Sequence, residues 1–281
     1  MTRTTRRSAV ASGVAMMLGL SALAGPSQAQ DIGALEPGQL QIGLDLTYAP
    51  YSYFKDDTPV GFDVETLRMI AKALEVDPVF KDTRFEQVII GVRGKQFDLT
   101  PGLYMTPARA EAIKLVPYFS AGSAVVVRVA EENAPTTEME LCGLKVSSIK
   151  GGAVVEKVLN ETNPKCEEAG KQPVDIREYP TDPEATQALI GGGVDAQLTE
   201  GIIAANAVEK TNGQLKISSE ALLYPVQVGW GISLGNDALA GALSAALETI
   251  TESGEYGELL KEYGLQTFDP ELAKQAVIES D

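Results

Sequence analysis

Residues 97–109 read FDLTPGLYMTPAR, and this stretch decides the fold. An apolar strand start at residues 97–100 gives way to Pro101-Gly102, and Thr106 then stands where a helix needs an N-cap, with Pro107 at the first helical position. A strand that turns through glycine into a capped helix is one unit of an alternating α/β chain. Arg109 falls in the first turn of that helix, where free N–H groups and the positive dipole end already favour an anion. A guanidinium there makes a bidentate carboxylate site; the plainer alternative is a surface arginine.

The alternation continues in both directions. Upstream, residues 40–46 (LQIGLDL) form a strand that ends at the aromatic turn Tyr48-Ala49-Pro50-Tyr51. A helix follows from Phe62, with Asp63 placed to cap it and Leu67, Ile70, Ala71 and Leu74 at helical spacing before Pro78. A short strand at 79–80 precedes an amphipathic helix marked by Phe85, Val88, Ile89 and Val92. Downstream, strands at 124–129, 144–149, 174–177 and 194–198 alternate with helices that open at Gly151-Gly152 and Asp182-Pro183. Residues 224–234 form a further strand segment, and helices at 237–253 and 255–263 follow. The best linker candidate is 130–140, acidic and polar with Pro135. Strand–helix alternation implies mainly parallel sheets, whose ligand sites lie at the carboxyl ends of the strands.

A chain of 281 residues is about twice the usual single-domain length and suits two compact lobes. It contains no histidine, which removes Ser/His/Asp and Cys/His nucleophile systems and every histidine-containing zinc site. The formal charge of −16 repels phosphate backbones, so no nucleic-acid partner is expected. Residues 1–29 carry Arg3, Arg6 and Arg7, an apolar run over 9–24, and Ser27-Gln28-Ala29, the layout of a secretory signal peptide cleaved after Ala29. The run is too short to span a bilayer, so a periplasmic protein is expected; the Arg6-Arg7 pair leaves twin-arginine export open beside the general route. Losing three arginines and no acids takes the charge from −16 to −19. Cys142 and Cys166 are an isolated pair in an oxidising compartment, and a disulfide is expected, since a redox pair would want Cys-x-x-Cys spacing.

The chain from 40 to 127 resembles the N-terminal half of the periplasmic solute-binding proteins of amino-acid ABC importers, extracellular family 3. The carrying motifs are GLDLTYAPY at 43–51, GFD at 61–63, GLYMTPAR at 102–109 and Pro117-Tyr118. The second half continues it with LCGLKV at 141–146, Gly151-Gly152, GVDA at 193–196 and Gly231-Ile232. The resemblance implies a two-lobed α/β periplasmic-binding-protein fold of type II, each lobe a mainly parallel sheet flanked by helices, with two hinge crossovers. Lobe one would be 30–121 plus 226–281, and lobe two the inserted 122–225. It also implies a membrane permease as partner, a monomer, no cofactor and no metal.

Carried over position by position, the resemblance makes Arg109 the clamp for a ligand carboxylate. Glu200, five residues after Asp195, stands where the family usually has an aspartate that accepts the ligand's ammonium; without the family it is an acid at a helix start. Tyr48, Phe85 and Tyr104 follow strands or open helices where a cleft should be, and they would wall the pocket unless they are ordinary core or rim packing. Gly102 and Gly152 of the quoted motifs complete the expected ligand contacts. Asp45 either neutralises a cationic ligand side chain or caps the end of its strand. Tyr104 replaces a hydroxyl common in the family, Ala153 replaces another, and the segment between Asp98 and Gly102 is one residue short. An aromatic at 104 suits a cationic or cyclic amidinium ligand through cation–π contact. A polar or cationic amino acid is therefore favoured, with ectoine-, betaine- and opine-like ligands open. Trp230, just past the second crossover, is placed to report closure. The leading expectation is a receptor that performs no chemistry; the alternative is a cyclohexadienyl or arogenate dehydratase-like enzyme on the same scaffold, with Glu200 as the acid.

Overall fold

The computed structural model describes residues 1–2 and 32–278. The export leader expected over 1–29 therefore lies outside the described residues, apart from its first two. In chain order the strands are β1 (Gln39–Leu44), β2 (Thr47–Tyr48), β3 (Ser52–Lys55), β4 (Thr58–Val60), β5 (Asp77–Asp82), β6 (Leu99–Tyr104), β7 (Lys114–Arg128), β8 (Lys145–Ile149), β9 (Asp175–Tyr179), β10 (Ala196–Glu200), β11 (Leu215–Ile217), β12 (Leu223–Ile232) and β13 (Gln266–Thr267). The helices between and after them are α1 (Phe62–Ala73), α2 (Val88–Arg93), α3 (Pro107–Ala112), α4 (Ala153–Lys157), α5 (Asn163–Glu168), α6 (Asp182–Ile190), α7 (Gly201–Lys210), α8 (Asp237–Glu252), α9 (Glu255–Glu262) and α10 (Pro270–Gln275).

One sheet path, β5-β1-β6-β12-β7-β10-β8-β9, runs through the whole molecule. Its two ends are parallel, β5-β1-β6 in one lobe and β10-β8-β9 in the other. The middle is an antiparallel pair of long strands, β7 and β12, so the sheets are parallel at their outer ends and antiparallel where the lobes meet. The first part of β7 pairs with β13 at Phe119 and Ser120, and its last part pairs with β10 and β11 from Ser123 onward. The chain thus passes between lobes without leaving extended structure. Around and beyond the turn read at 48–51, residues 47–60 form a second three-stranded sheet, β2-β3-β4.

Two cores result. Around α1, Phe62, Leu67 and Ile70 are fully buried with Trp230 and Tyr256, and rings stack on one another: Tyr118 lies 4.6 Å from Trp230 and 6.1 Å from Phe62. Burying each such side chain contributes roughly 1.5–3 kcal/mol. The other lobe is filled by Val125, Val127, Val146, Val158 and Leu198, and Cys142 joins Cys166 across a Cα separation of 5.7 Å. The segment 130–140 ends in a capped turn at Thr137 and belongs wholly to this lobe, so it does not link the two.

One expectation is corrected. Asp63 does not cap α1: the N-cap is Gly61, and Asp63 is buried with Oδ1 accepting a 2.6 Å bond from the Tyr118 hydroxyl. Its carboxyl is raised to about 7 by burial, against the pull of that hydroxyl. Trp230 is fully buried against Tyr118 in the core of lobe one.

Candidate functional site

The segment read first behaves as its residues dictate. Thr106 Oγ1 accepts from the Arg109 amide at 3.3 Å, and Pro107 opens α3. That helix has six residues, so its dipole is weak and the guanidinium itself carries the charge. Gly102 sits at φ +74°, a left-handed backbone that side chains rarely adopt, and its amide donates to the Tyr118 hydroxyl at 2.9 Å. The turn places Tyr104 and Arg109 on one wall of a small interlobe cavity.

The cavity brings together Tyr48, Phe85, Gly102, Tyr104 and Arg109 from lobe one with Gly152 and Glu200 from lobe two. Tyr48 and Phe85 stack at 6.3 Å, and the Arg109 guanidinium lies 5.9 Å from the Phe85 ring centre, close enough for a cation–π contact. Arg109 is 6% exposed and donates to the Tyr104 carbonyl at 3.1 Å and, across the cleft, to the Gly151 carbonyl at 3.0 Å. Further bonds cross the cleft, among them Lys150 to Glu86 at 2.6 Å and Asn206 to the Ala49 carbonyl at 3.2 Å, so this is a closed arrangement. Gly151 is at φ +76° with Glu86 Cα only 3.4 Å from where a Cβ would sit, so the lips meet backbone to backbone.

Glu200 is the other buried charge, also 6% exposed. It precedes α7 at the N-cap position, yet its side chain makes no capping bond, and Oε2 has no hydrogen-bond partner among the described residues. Burial raises its carboxyl to about 8, against the Tyr51 and Tyr104 hydroxyls, which favour the charged form. Burial likewise pulls Arg109 below its ordinary value, and Glu156, Tyr104 and Glu200 push it back. A guanidinium and a carboxyl group, each withdrawn from water and each without a full-strength ionic partner, face one small space; desolvated groups in that state gain most from a ligand group of opposite charge.

Asp45 does not line this cavity. It is 4% exposed, its Oδ1 takes bonds from the Thr47 amide (2.9 Å), the Thr47 hydroxyl (2.6 Å) and Arg84 (2.9 Å), and its Oδ2 takes the Phe85 amide (3.1 Å). The turn role is the one its carboxylate performs. Sequence reasoning missed Ser123, Ser148 and Thr199, which also line the cavity, and Tyr51 beside Glu200. Thr199 could have been found as the neighbour of Glu200; the serines carry no local signal. A larger open groove runs beside Ala121 and Pro225, but the charged side chains on it are not buried, so it lacks the paired charges.

The L-cystine-binding protein TcyJ of Escherichia coli (strain K12) is 29% identical over 222 residues, covering 78% of this chain and 80% of that one. ABC transporter arginine-binding protein 1 of the same organism is 24% identical over 233 residues, covering 81% and 91%. Among solved structures, an ancestral arginine-binding protein bound to arginine superposes with a TM-score of 0.72 at 27% identity, over 80% of this chain and 98% of that one. The family described as bacterial extracellular solute-binding proteins, family 3, matches residues 40–266. With that match spanning both lobes, the chain belongs to the family 3 extracellular solute-binding proteins.

Proposed function

We propose that this protein is the exported substrate-binding component of an ABC importer and captures a free α-amino acid between its lobes, releasing it unchanged to a membrane permease. The observation that carries the reading is the pair Arg109 and Glu200, oppositely charged, both buried, contributed by different lobes to one cavity. Arg109 takes the ligand carboxylate and Glu200 its ammonium, while Tyr48, Phe85 and Tyr104 enclose the rest. Closure joins the two half-sites, so the ligand itself completes the contact between lobes. The relatives named for cystine and arginine support an amino-acid ligand, and the leader over 1–29 supports export.

The test is calorimetry with the twenty common amino acids, each binder then compared with its decarboxylated and deaminated analogues. Binding that needs both charged groups is expected, with the ligand recovered chemically intact. An analogue lacking either group that binds as well as the amino acid, or conversion of the ligand to a product, would overturn it.

A further inference from the structure

We infer that Arg84 sets the class of ligand side chain: by pairing with Asp45, it reserves the cavity for an amino acid whose side chain carries no charge. The inference rests on the Arg109 and Glu200 reading above and deepens it.

The first support is the geometry around Asp45. This acid follows β1, three residues before Tyr48, and accepts from the Phe85 amide, so it adjoins the aromatic wall and is the acid that a ligand cation passing Tyr48 and Phe85 would meet. Arg84 already fills that role. Its Nη1 donates to Asp45 at 2.9 Å and to the Thr47 hydroxyl at 3.2 Å, while Nη2 holds both oxygens of Asp82 at 2.8 and 2.9 Å. Arg84 immediately precedes Phe85, whose amide bonds the other Asp45 oxygen, so the ion pair and the wall are one construction. A ligand guanidinium or ammonium approaching Asp45 would find its Oδ1 already accepting three bonds and would face a fixed positive charge beside it, the kind of built-in repulsion that separates one ligand class from another.

The second support is independent of Asp45. Of the residues that line the cavity, Arg109 and Glu200 alone are charged; the remainder are aromatic, aliphatic, glycine or hydroxyl. The carboxylate and ammonium common to all α-amino acids use both. Asp182 lies outside the lining and is held by Gln197 at 2.5 Å and Thr199 at 3.0 Å, and Asp63 is held by Tyr118. The lining itself offers no counter-charge for a third ligand charge, and Arg84 is taken up by Asp45 and Asp82.

The experiment measures affinities of the twenty common amino acids for wild type, R84A, R84K, R84M and the double variant R84A/D45N. The tightest wild-type ligand should carry an uncharged side chain and exceed arginine and lysine by at least tenfold. R84A should raise affinity for arginine and lysine at least tenfold while moving the uncharged ligand less than threefold. R84K should keep the exclusion, and R84A/D45N should lose the gain. R84M keeps the apolar stem, and it replaces R84A if the latter does not fold. Wild-type preference for arginine or lysine, or an unchanged cationic-to-neutral ratio in both R84A and R84M, overturns the inference. If R109A abolishes binding in that same case, the capture reading stands and the Arg84 inference alone falls; if no amino acid binds, both fall.

Discussion

The two lobes hold themselves together by different means. Among the described residues every aromatic ring pair lies in lobe one, running from Tyr48 and Phe85 at the cavity through Tyr51, Phe62, Phe119 and Tyr118 to Trp230 and Tyr256. Lobe two has an aliphatic core rich in valine and a disulfide between Cys142 and Cys166. Rings have few rotatable bonds and bury large area, so lobe one offers a wall that is set before any ligand arrives. Lobe two brings small residues, Gly152 and Ala153, and one long acid, Glu200, which lets its edge approach closely. On the proposed reading, recognition would be divided between a ring-walled half that carries Arg109 and a half of small residues that carries Glu200.

The largest expected effect tests the fixed half. Arg109→Ala should weaken ligand binding at least a hundredfold by calorimetry, because truncating one member of a buried charge pair strands the other. The melting temperature of the unliganded protein should move little, since the partners it releases are the Tyr104 and Gly151 carbonyls at the cleft. Affinity within tenfold of wild type would refute the division.

Next in size is the staple of the other half. Replacing both Cys142 and Cys166 by serine should cost about 3 kcal/mol in the chain-entropy account, read as a lower denaturant midpoint, with ligand affinity nearly unchanged. A large loss of affinity would mean that the disulfide shapes the site and that the halves are not separable in this way.

The titration of the buried acids gives a third way to test the division. Asp63 and Asp182 are raised by burial to about 7 and Glu200 to about 8, so between their ordinary values and pH 8 the folded chain keeps protons that the unfolded chain releases. Stability of the unliganded protein should therefore fall as pH rises from about 5 to 8, by several degrees in melting temperature. Ligand affinity should move the opposite way, since the ammonium needs Glu200 ionised: roughly tenfold tighter per unit up to about pH 8. Glu200→Gln should flatten the binding curve. A binding curve in Glu200→Gln as steep as in wild type would assign the titration elsewhere.

Much of the fold is legible in local sequence because its signals are local. Thr106-Pro107 starts α3 where the cap and the ring demand it, and Asp182-Pro183 starts α6 one residue past its cap, Thr181. What could not be read depends on register between distant strands. Pro117 and Gly122 break β7 on paper, yet the strand runs unbroken because β12 pairs along it from Lys114 to Ser123. The site divides in the same way. Arg109 announces itself by its place in a helix turn, whereas the fate of Asp45 turns on Arg84, 39 positions away in sequence. Asp63 looked like a cap since its chemistry suits one; Tyr118, 55 positions on, claimed it instead.

The path of the sheet also fixes the order in which the molecule can be completed. Lobe two is built from one continuous stretch, and its cysteines and strands β8 to β11 are all present once residue 217 has been made. Lobe one is not: Trp230 in β12 and Tyr256 in α9 cover Tyr118 and Phe62, and the Tyr256 hydroxyl bonds the Tyr118 carbonyl at 2.6 Å. A chain emerging from its N-terminus must therefore carry its richest aromatic surface uncovered until nearly the last helix arrives, which makes the interval before that arrival the time of greatest exposure to misassociation.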